Sequence, residues 1–234
     1  MFIFKKKKHD RGKKVEVDFT VGNKTKSIVG EAYRTLRTNI QYSFFDKEIK
    51  TIVITSAEMG EGKSTVARNI ALTFAQTEKK VILIECDLRK LSIHKNFKAS
   101  NLIGVSEVLL GKASLEESVQ KHDDNLYFIT SGKIPPNPSE MLESAAMTRL
   151  IEKLKEEYDI IVFDTAPIKV VTDAQILSAK VDGTILIVRA GVTKKDVVIE
   201  AKNLLDKVGA NIIVTVLYAV ENTREKYYYY ENEE

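Results

Sequence analysis

TIVITSAEMGEGKSTVARNIALTFAQ, residues 51–76, decides how the rest of the chain is read. TIVITS (Thr51–Ser56) is a β-branched run of strand composition. TVARNIALTFAQ (Thr65–Gln76) follows with apolar residues at helical spacing. Between them AEMGEGKST (Ala57–Thr65) ends in Gly-Lys-Ser, the close of the phosphate-binding pattern GxxxxGK[ST], with Ala57 where that pattern has its first glycine. Gly60 and Gly62 let backbone N–H groups turn inward around a polyphosphate, Lys63 can reach its outer oxygens, and Ser64 can ligate Mg²⁺. The new helix adds the positive end of its dipole. A strand before and a helix after is the context that makes this loop a nucleotide site. Glu58, Met59, Gly60, Glu61, Gly62, Lys63, Ser64 and Thr65 are therefore expected to hold ATP, with Mg²⁺ beside it.

Outward from this unit the theme repeats. VILIE (81–85), YFITSG (127–132), DIIVFD (159–164), TILIVR (184–189) and NIIVTVLY (211–218) read as strands, and their near-continuous Val/Ile content indicates burial on both faces. Helix-length segments separate most of them, such as AAMTRLIEKLKEEY (145–158) and KKDVVIEAKNLLDKV (194–208). EAYRTLRTNIQYSF (31–44) has Leu36, Ile40 and Phe44 at four-residue spacing. The expectation is an α/β P-loop NTPase, a mostly parallel sheet flanked by helices on both faces. Two strands end in acid: Glu85 and Asp87 after VILI, and Asp164 closing DIIVFD. The carboxyl ends of parallel strands line the ligand crevice, so Asp164 reads as the Walker B carboxylate and Asp87 as a second Mg²⁺-side acid.

Composition narrows the class. At 234 residues the chain suits one domain with tails, here 1–25 as a basic tail, 26–222 as the domain and 223–234 as a tyrosine-rich tail. One cysteine, Cys86, excludes a disulfide framework and fits a reducing cytoplasm. No apolar run approaches the ~20 residues that span a bilayer. The formal net charge of +3 hides an asymmetry. Lys5, Lys6, Lys7, Lys8, Arg11, Lys13 and Lys14 crowd the start against Asp10 alone, leaving the remainder net acidic. With Phe2, Ile3 and Phe4 beside them, these lysines suit a peripheral contact at the inner face of the cell membrane. No basic motif with interleaved aromatics continues into the domain, so nucleic acid is not expected as a partner.

Several further stretches resemble the bacterial tyrosine kinases of capsule and exopolysaccharide synthesis, the BY-kinases. They are EAYRTLRTN, GEGKST, the strand ending in DLRK, GVSEVLLGKASLEE (104–117), SGKIPPNPSEML (131–142) and DTAPIKVVTDA (164–174). The resemblance runs from about Glu31 to the last residue and explains EKYYYYENEE at the end. It implies a protein-tyrosine kinase whose Tyr227, Tyr228, Tyr229 and Tyr230 are phosphorylated in trans by a neighbouring subunit. It also implies catalysis by Lys63, Glu85, Asp87 and Asp164, with Ser64, Asp87 and Asp164 on Mg²⁺. A ring of copies would assemble through Glu31, Arg34 and Arg37. Expected partners are the cytoplasmic tail of a separate transmembrane activator, other tyrosine-bearing protein substrates and a cognate tyrosine phosphatase.

Departures from that family's pattern are Met59, Glu85, Leu91, Ala166 and Tyr218. Glu85 adds a methylene where an aspartate is usual, and Tyr218 replaces an asparagine that often sits near the base. Two other readings compete with this one. One is a partitioning or septum-site ATPase switch, whose signature lysine would fall on Glu58. The other is a non-catalytic nucleotide-binding partner of a polysaccharide export complex.

Overall fold

Alternating burial along the strands sets up the architecture. Ile52 and Ile54 face one side of the sheet with Leu83, Val162, Ile185 and Ile187, whereas Val53 faces the other with Ile82, Ile84, Ile161 and Phe163. A strand apolar on both faces needs a helical layer on each, and the computed structural model has both. It describes residues 2–5, 28–43 and 48–220.

The strands are β1 (Phe2–Lys5), β2 (Thr51–Ser56), β3 (Val81–Glu85), β4 (Gln120–Lys121), β5 (Leu126–Ile129), β6 (Ile160–Asp164), β7 (Gly183–Arg189) and β8 (Ile212–Val220). They form one sheet in the order β1-β8-β7-β2-β6-β3-β5-β4, parallel throughout except for the β4–β5 pair. The expected parallel α/β sheet is thus present. Residues 2–5, grouped with the basic tail in the sequence reading, instead pair parallel with β8 at the sheet edge. A four-residue strand next to a lysine run leaves no readable period, which is why it was missed.

On one face lie α1 (Ile28–Gln41) and α2 (Lys63–Ala75), joined to the sheet through Tyr33, Leu36, Ile40, Val66, Ile70 and Phe74. Phe44, expected to extend the α1 stripe, lies outside the described residues; Tyr33 sits in the core in addition to Leu36 and Ile40. After β3 come α3 (Ile93–Phe97), α4 (Val105–Leu109), α5 (Leu115–Ser118) and α6 (Pro138–Glu143). The opposite face is covered chiefly by α7 (Ala145–Glu157), α8 (Asp173–Ser178) and α9 (Lys195–Lys207), with Met147, Leu150, Ile151 and Leu154 of α7 seated on Ile161 and Phe163. No helix among the described residues is long and apolar enough to cross a membrane.

The sheet brings its functional ends into one row. Glu85 pairs with Asp164 in register, and the amides of Cys86 and Asp87 donate to the Asp164 carbonyl at 2.8 and 3.1 Å. Farther along, Gly104 starts α4 directly against the end of β5. A Cβ there would stand 2.2 Å from the Thr130 carbonyl oxygen and 2.3 Å from the Gly132 nitrogen. Backbone on both sides cannot yield as a flexible side chain would, so Gly104→Ala is expected to destabilise by about 3 kcal/mol or more, lowering Tm by roughly 6–12 °C. Thermal denaturation followed by circular dichroism measures this; an unchanged Tm would contradict the close approach.

Candidate active site

The loop after β2 is built by its own side chains. Gly60 and Gly62 sit at φ 78° and 97°, in the left-handed region where glycine carries no steric cost. Glu61, buried, accepts from the Glu58 amide at 2.9 Å and from the Thr193 hydroxyl, so its carboxylate staples the loop from behind. Ser56 donates to the Glu58 carbonyl at 2.7 Å, and Arg189 donates to the Gly60 carbonyl at 3.0 Å. With carbonyls tied outward, the loop's amides and the start of α2 are left to the cavity.

That cavity, about 420 Å³, is lined by Gly60, Gly62, Lys63, Ser64, Thr65 and Asp87 from the expected set. Val29, Tyr33, Lys90, Ser92, Asn96, Arg189, Tyr218 and Ala219 complete it. Of the residues expected to hold ATP, Glu58, Met59 and Glu61 are outside this wall. The structure instead enlists Tyr33 and Val29 from α1, on the same helix as Glu31, Arg34 and Arg37. Glu31 pairs with Arg34 on that helix, and Arg37 donates to the Thr73 carbonyl of α2 at 2.9 Å. Tyr227–Tyr230 lie outside the described residues.

Tyr218 closes one side. Its ring lies on the loop so tightly that a Cβ at Gly62 would stand 2.6 Å from ring carbon Cε1. Glycine at 62 is thus required by backbone angle and by the ring together. Burial raises the Tyr218 hydroxyl above its ordinary pKa against the opposing pull of the Thr65 hydroxyl.

The acids divide the work unequally. Glu85 is fully buried. Its Oε1 accepts from the Ser92 amide, from the Ile93 amide at 2.7 Å and from the Ser92 hydroxyl at 3.2 Å, and its Oε2 accepts from the Ser131 amide at 3.1 Å. This carboxylate ties the loop after β3 to the end of β5. It lines no cavity. The Ser92 hydroxyl that it holds also reaches Ser64 Oγ at 3.2 Å. The longer side chain at position 85 therefore spends its reach on loop amides.

Asp164 is the reverse case. It is 0% exposed, and neither of its oxygens has a hydrogen-bond donor of ordinary geometry. Burial pushes its pKa up to about 7, against the pull of the neighbouring Ser64 hydroxyl and Lys63. A buried carboxylate without donors fits a cation, and Ser64 beside it adds a neutral oxygen. No cluster of three or more His, Cys, Asp or Glu side chains suited to a metal occurs among the described residues. Mg²⁺ that borrows oxygens from phosphate and water needs none. Asp87, 8% exposed, accepts from the Arg89 and Lys90 amides at 3.3 and 3.0 Å, both on Oδ1. Burial raises its pKa despite these bonds and Lys63. Lys63, equally enclosed, is lowered by burial while Asp164, Asp87 and Glu61 oppose that shift. Cys86, raised by burial in the core, has no part in the site.

A phosphate loop, its lysine and two acids converging on one crevice define a P-loop nucleotide-binding protein. The AAA domain family matches residues 49–214. The chain is 40% identical to the tyrosine-protein kinase YwqD of Bacillus subtilis (strain 168) over 222 residues, 94% of each protein. Among solved structures, the kinase domain of the Escherichia coli tyrosine kinase ETK superposes with a TM-score of 0.87 at 30% identity, covering 98% of this chain and 93% of that one. The chimeric protein CapA2B2 superposes equally well, TM-score 0.87 at 32% identity, covering 94% of each. The chain belongs to the bacterial tyrosine-protein kinase family.

Two titration and packing consequences can be measured. Burial favours protonated Asp164, so the ligand-free folded chain holds that proton between about pH 4 and about pH 7 where the unfolded chain has lost it. Its contribution to stability therefore falls as pH rises through this window and levels off above it. Asp164→Asn should remove that slope and raise stability near pH 8 by on the order of 2 kcal/mol, about 4–8 °C in Tm, in melts at about pH 5.5 and 8. A slope identical to the parent's would refute the assignment. Glu85→Gln keeps one acceptor oxygen but turns a donor toward the Ser131 amide, and is expected to cost about 2 kcal/mol in urea unfolding.

Proposed function

We propose that this chain is an ATP- and Mg²⁺-dependent protein-tyrosine kinase of capsular or exopolysaccharide synthesis, and that it phosphorylates Tyr227–Tyr230 of a neighbouring copy. One observation carries the reading. Lys63, Ser64 and Asp87 line a single cavity beside a buried Asp164 that lacks donors, in a chain related to tyrosine-protein kinases over nearly its whole length.

Phosphoryl transfer asks a protein for position and charge more than for covalent chemistry. Lys63 and the amides from Gly60 to Thr65 bind the phosphates; Ser64 and Asp164 would hold Mg²⁺, with Asp87 on the same side. Magnesium, when bound, neutralises charge on the phosphate oxygens. Asp87 takes the phenolic proton. Its Oδ1 is occupied by two backbone amides, and its raised pKa brings it nearer to the task of a base. Glu85 acts as a positioning residue through Ser92. The aromatic wall of Tyr33 and Tyr218 gives the nucleotide base an apolar seat.

Assembly follows the same reading. Glu31, Arg34 and Arg37 join copies in a ring, the tail of a transmembrane activator docks on the kinase, and a tyrosine phosphatase reverses the reaction. Similarity to a chimeric CapA2B2 protein supports a second segment that meets this fold. The lysines after β1 favour association with the inner face of the membrane. Glu58 at the place of the switch ATPases' signature lysine weighs against that alternative.

Incubation with Mg-ATP followed by phosphotyrosine mass spectrometry tests this. Phosphate is expected on the peptide containing Tyr227–Tyr230, at least ~100-fold reduced by Lys63→Met and absent when the four tyrosines are phenylalanine. ATP binding without any phosphotyrosine, with an activator tail supplied, would sink the kinase reading.

A further inference from the structure

Three elements meet behind the crevice at a buried carboxylate that the reaction scheme above does not use. Asp173 opens α8 and is wholly buried. Its Oδ1 accepts from Arg89 Nη2 at 3.2 Å and from the Ser139 hydroxyl at 2.6 Å, and Ser139 Oγ in turn accepts from the same Arg89 nitrogen at 3.0 Å. Arg89 comes from the loop after β3, Ser139 from α6 and Asp173 from α8. Each pair of the three is bonded, so the group is a closed triangle rather than a chain. Asp173 is anchored in its turn: Ala174 and Leu177 of α8 are buried, as are Met141 and Leu142 of α6.

This triangle fixes a residue two positions beyond the candidate base. Asp87 Oδ1 accepts from the Arg89 and Lys90 amides at 3.3 and 3.0 Å, which leaves Oδ2 for the cavity that Asp87 lines. A carboxylate bonded to amides two and three residues ahead closes a local turn, and it is only as fixed as the residues that supply those amides. The Asp87 amide rests on the Asp164 carbonyl, and Leu88 packs in the core. Farther on, Glu85 holds the Ser92 amide. Between Leu88 and Ser92 the Arg89 side chain supplies the polar tie to the rest of the fold.

We propose that Asp173 is a positioning residue for phosphoryl transfer: through Arg89, with Ser139 bracing both, it fixes the turn whose amides aim the Asp87 carboxylate at the cavity. The assignment rests on the reading of Asp87 as the base and adds the element that sets its aim. Asp173 is not part of the nucleotide cavity's wall, so its effect is indirect. A shift of about 1 Å in a positioned group can lower a rate ~100-fold, and a loosened turn therefore shows in turnover before it shows in binding.

The test uses the full chain and two readouts. In the ligand-free protein, amide hydrogen exchange is followed residue by residue by NMR. The double variant Arg89→Ala/Asp173→Asn removes both charges of the tie, so that neither is left buried without its partner. Its Lys90 amide should exchange at least about tenfold faster than the parent's, while the Ile93 amide on Glu85 is unchanged. Ser139→Ala, at a half-buried position, should give a smaller change in the same direction. The second readout is phosphorylation of Tyr227–Tyr230 with Mg-ATP. Here the double variant should lower kcat about 10- to 100-fold, with KM for ATP and affinity for Mg-ADP within about twofold of the parent. Arg89→Lys keeps a donor and the charge for Asp173, and should retain kcat to within about threefold. An Arg89→Lys protein as slow as the double variant assigns the effect to the guanidinium itself and overturns the role of Asp173. So does a Lys90 amide that exchanges equally fast in parent and double variant, or a loss of kcat matched by an equal loss of Mg-ADP affinity. In each of these cases the kinase reading survives. Absence of phosphotyrosine from the unsubstituted chain overturns both readings.

Discussion

Placing a carboxylate inside a sheet core is unfavourable by several kcal/mol unless donors or a cation meet it. This chain does so twice, at register-paired positions on adjacent strands, and solves the two cases in opposite ways. Glu85 is saturated with donors from two loops, whereas neither oxygen of Asp164 meets a donor of ordinary geometry, with only the Ser64 hydroxyl beside it. Saturation makes the first a structural tie that fixes where the loop after β3 and the end of β5 lie. Starvation makes the second a place where positive charge is wanted. Lys63 and Ser64 are delivered to it by the start of α2, and Asp87 by the loop that Glu85 holds. The remaining geometry of the crevice follows from that division.

The two helical layers serve this arrangement differently. α2 is buried along most of its length and carries the phosphate loop's lysine, so the site's principal cation is mounted on one of the best-packed elements of the molecule. α1 rests against α2 and contributes Tyr33 to the cavity wall while turning Glu31 and Arg34 to solvent. A single helix therefore has one face in the nucleotide cavity and another directed outward.

Local pattern made the phosphate loop legible, because glycine spacing, a preceding strand and a following helix all lie within one short window, and Asp87 and Asp164 were readable as acids at the ends of apolar strands. The strands other than β1 and the short β4, and the long helices, were legible for the same reason. The helices α6 and α8 were not, since six residues hold too little of a helical period to register. Neither were the working partners. Arg89 meets Asp173 across eighty-four positions, Glu85 meets Ser131 across forty-six, and Arg189 reaches Gly60 across a hundred and twenty-nine. Such pairings exist only once the sheet has been assembled. Glu85 illustrates the limit best. Its charge and its position at a strand end were readable, but not the four donors that hold its carboxylate.

The ring of Tyr218 pressed on Gly62 also has an optical meaning. The chain has no tryptophan and nine tyrosines, so its ultraviolet emission is phenolic. Two of those phenols, Tyr33 and Tyr218, line the nucleotide cavity, and Tyr42, Tyr127 and Tyr158 are the others within the described domain. Whatever enters the cavity must pass close to a chromophore that no brighter residue masks. The site carries its own lamp.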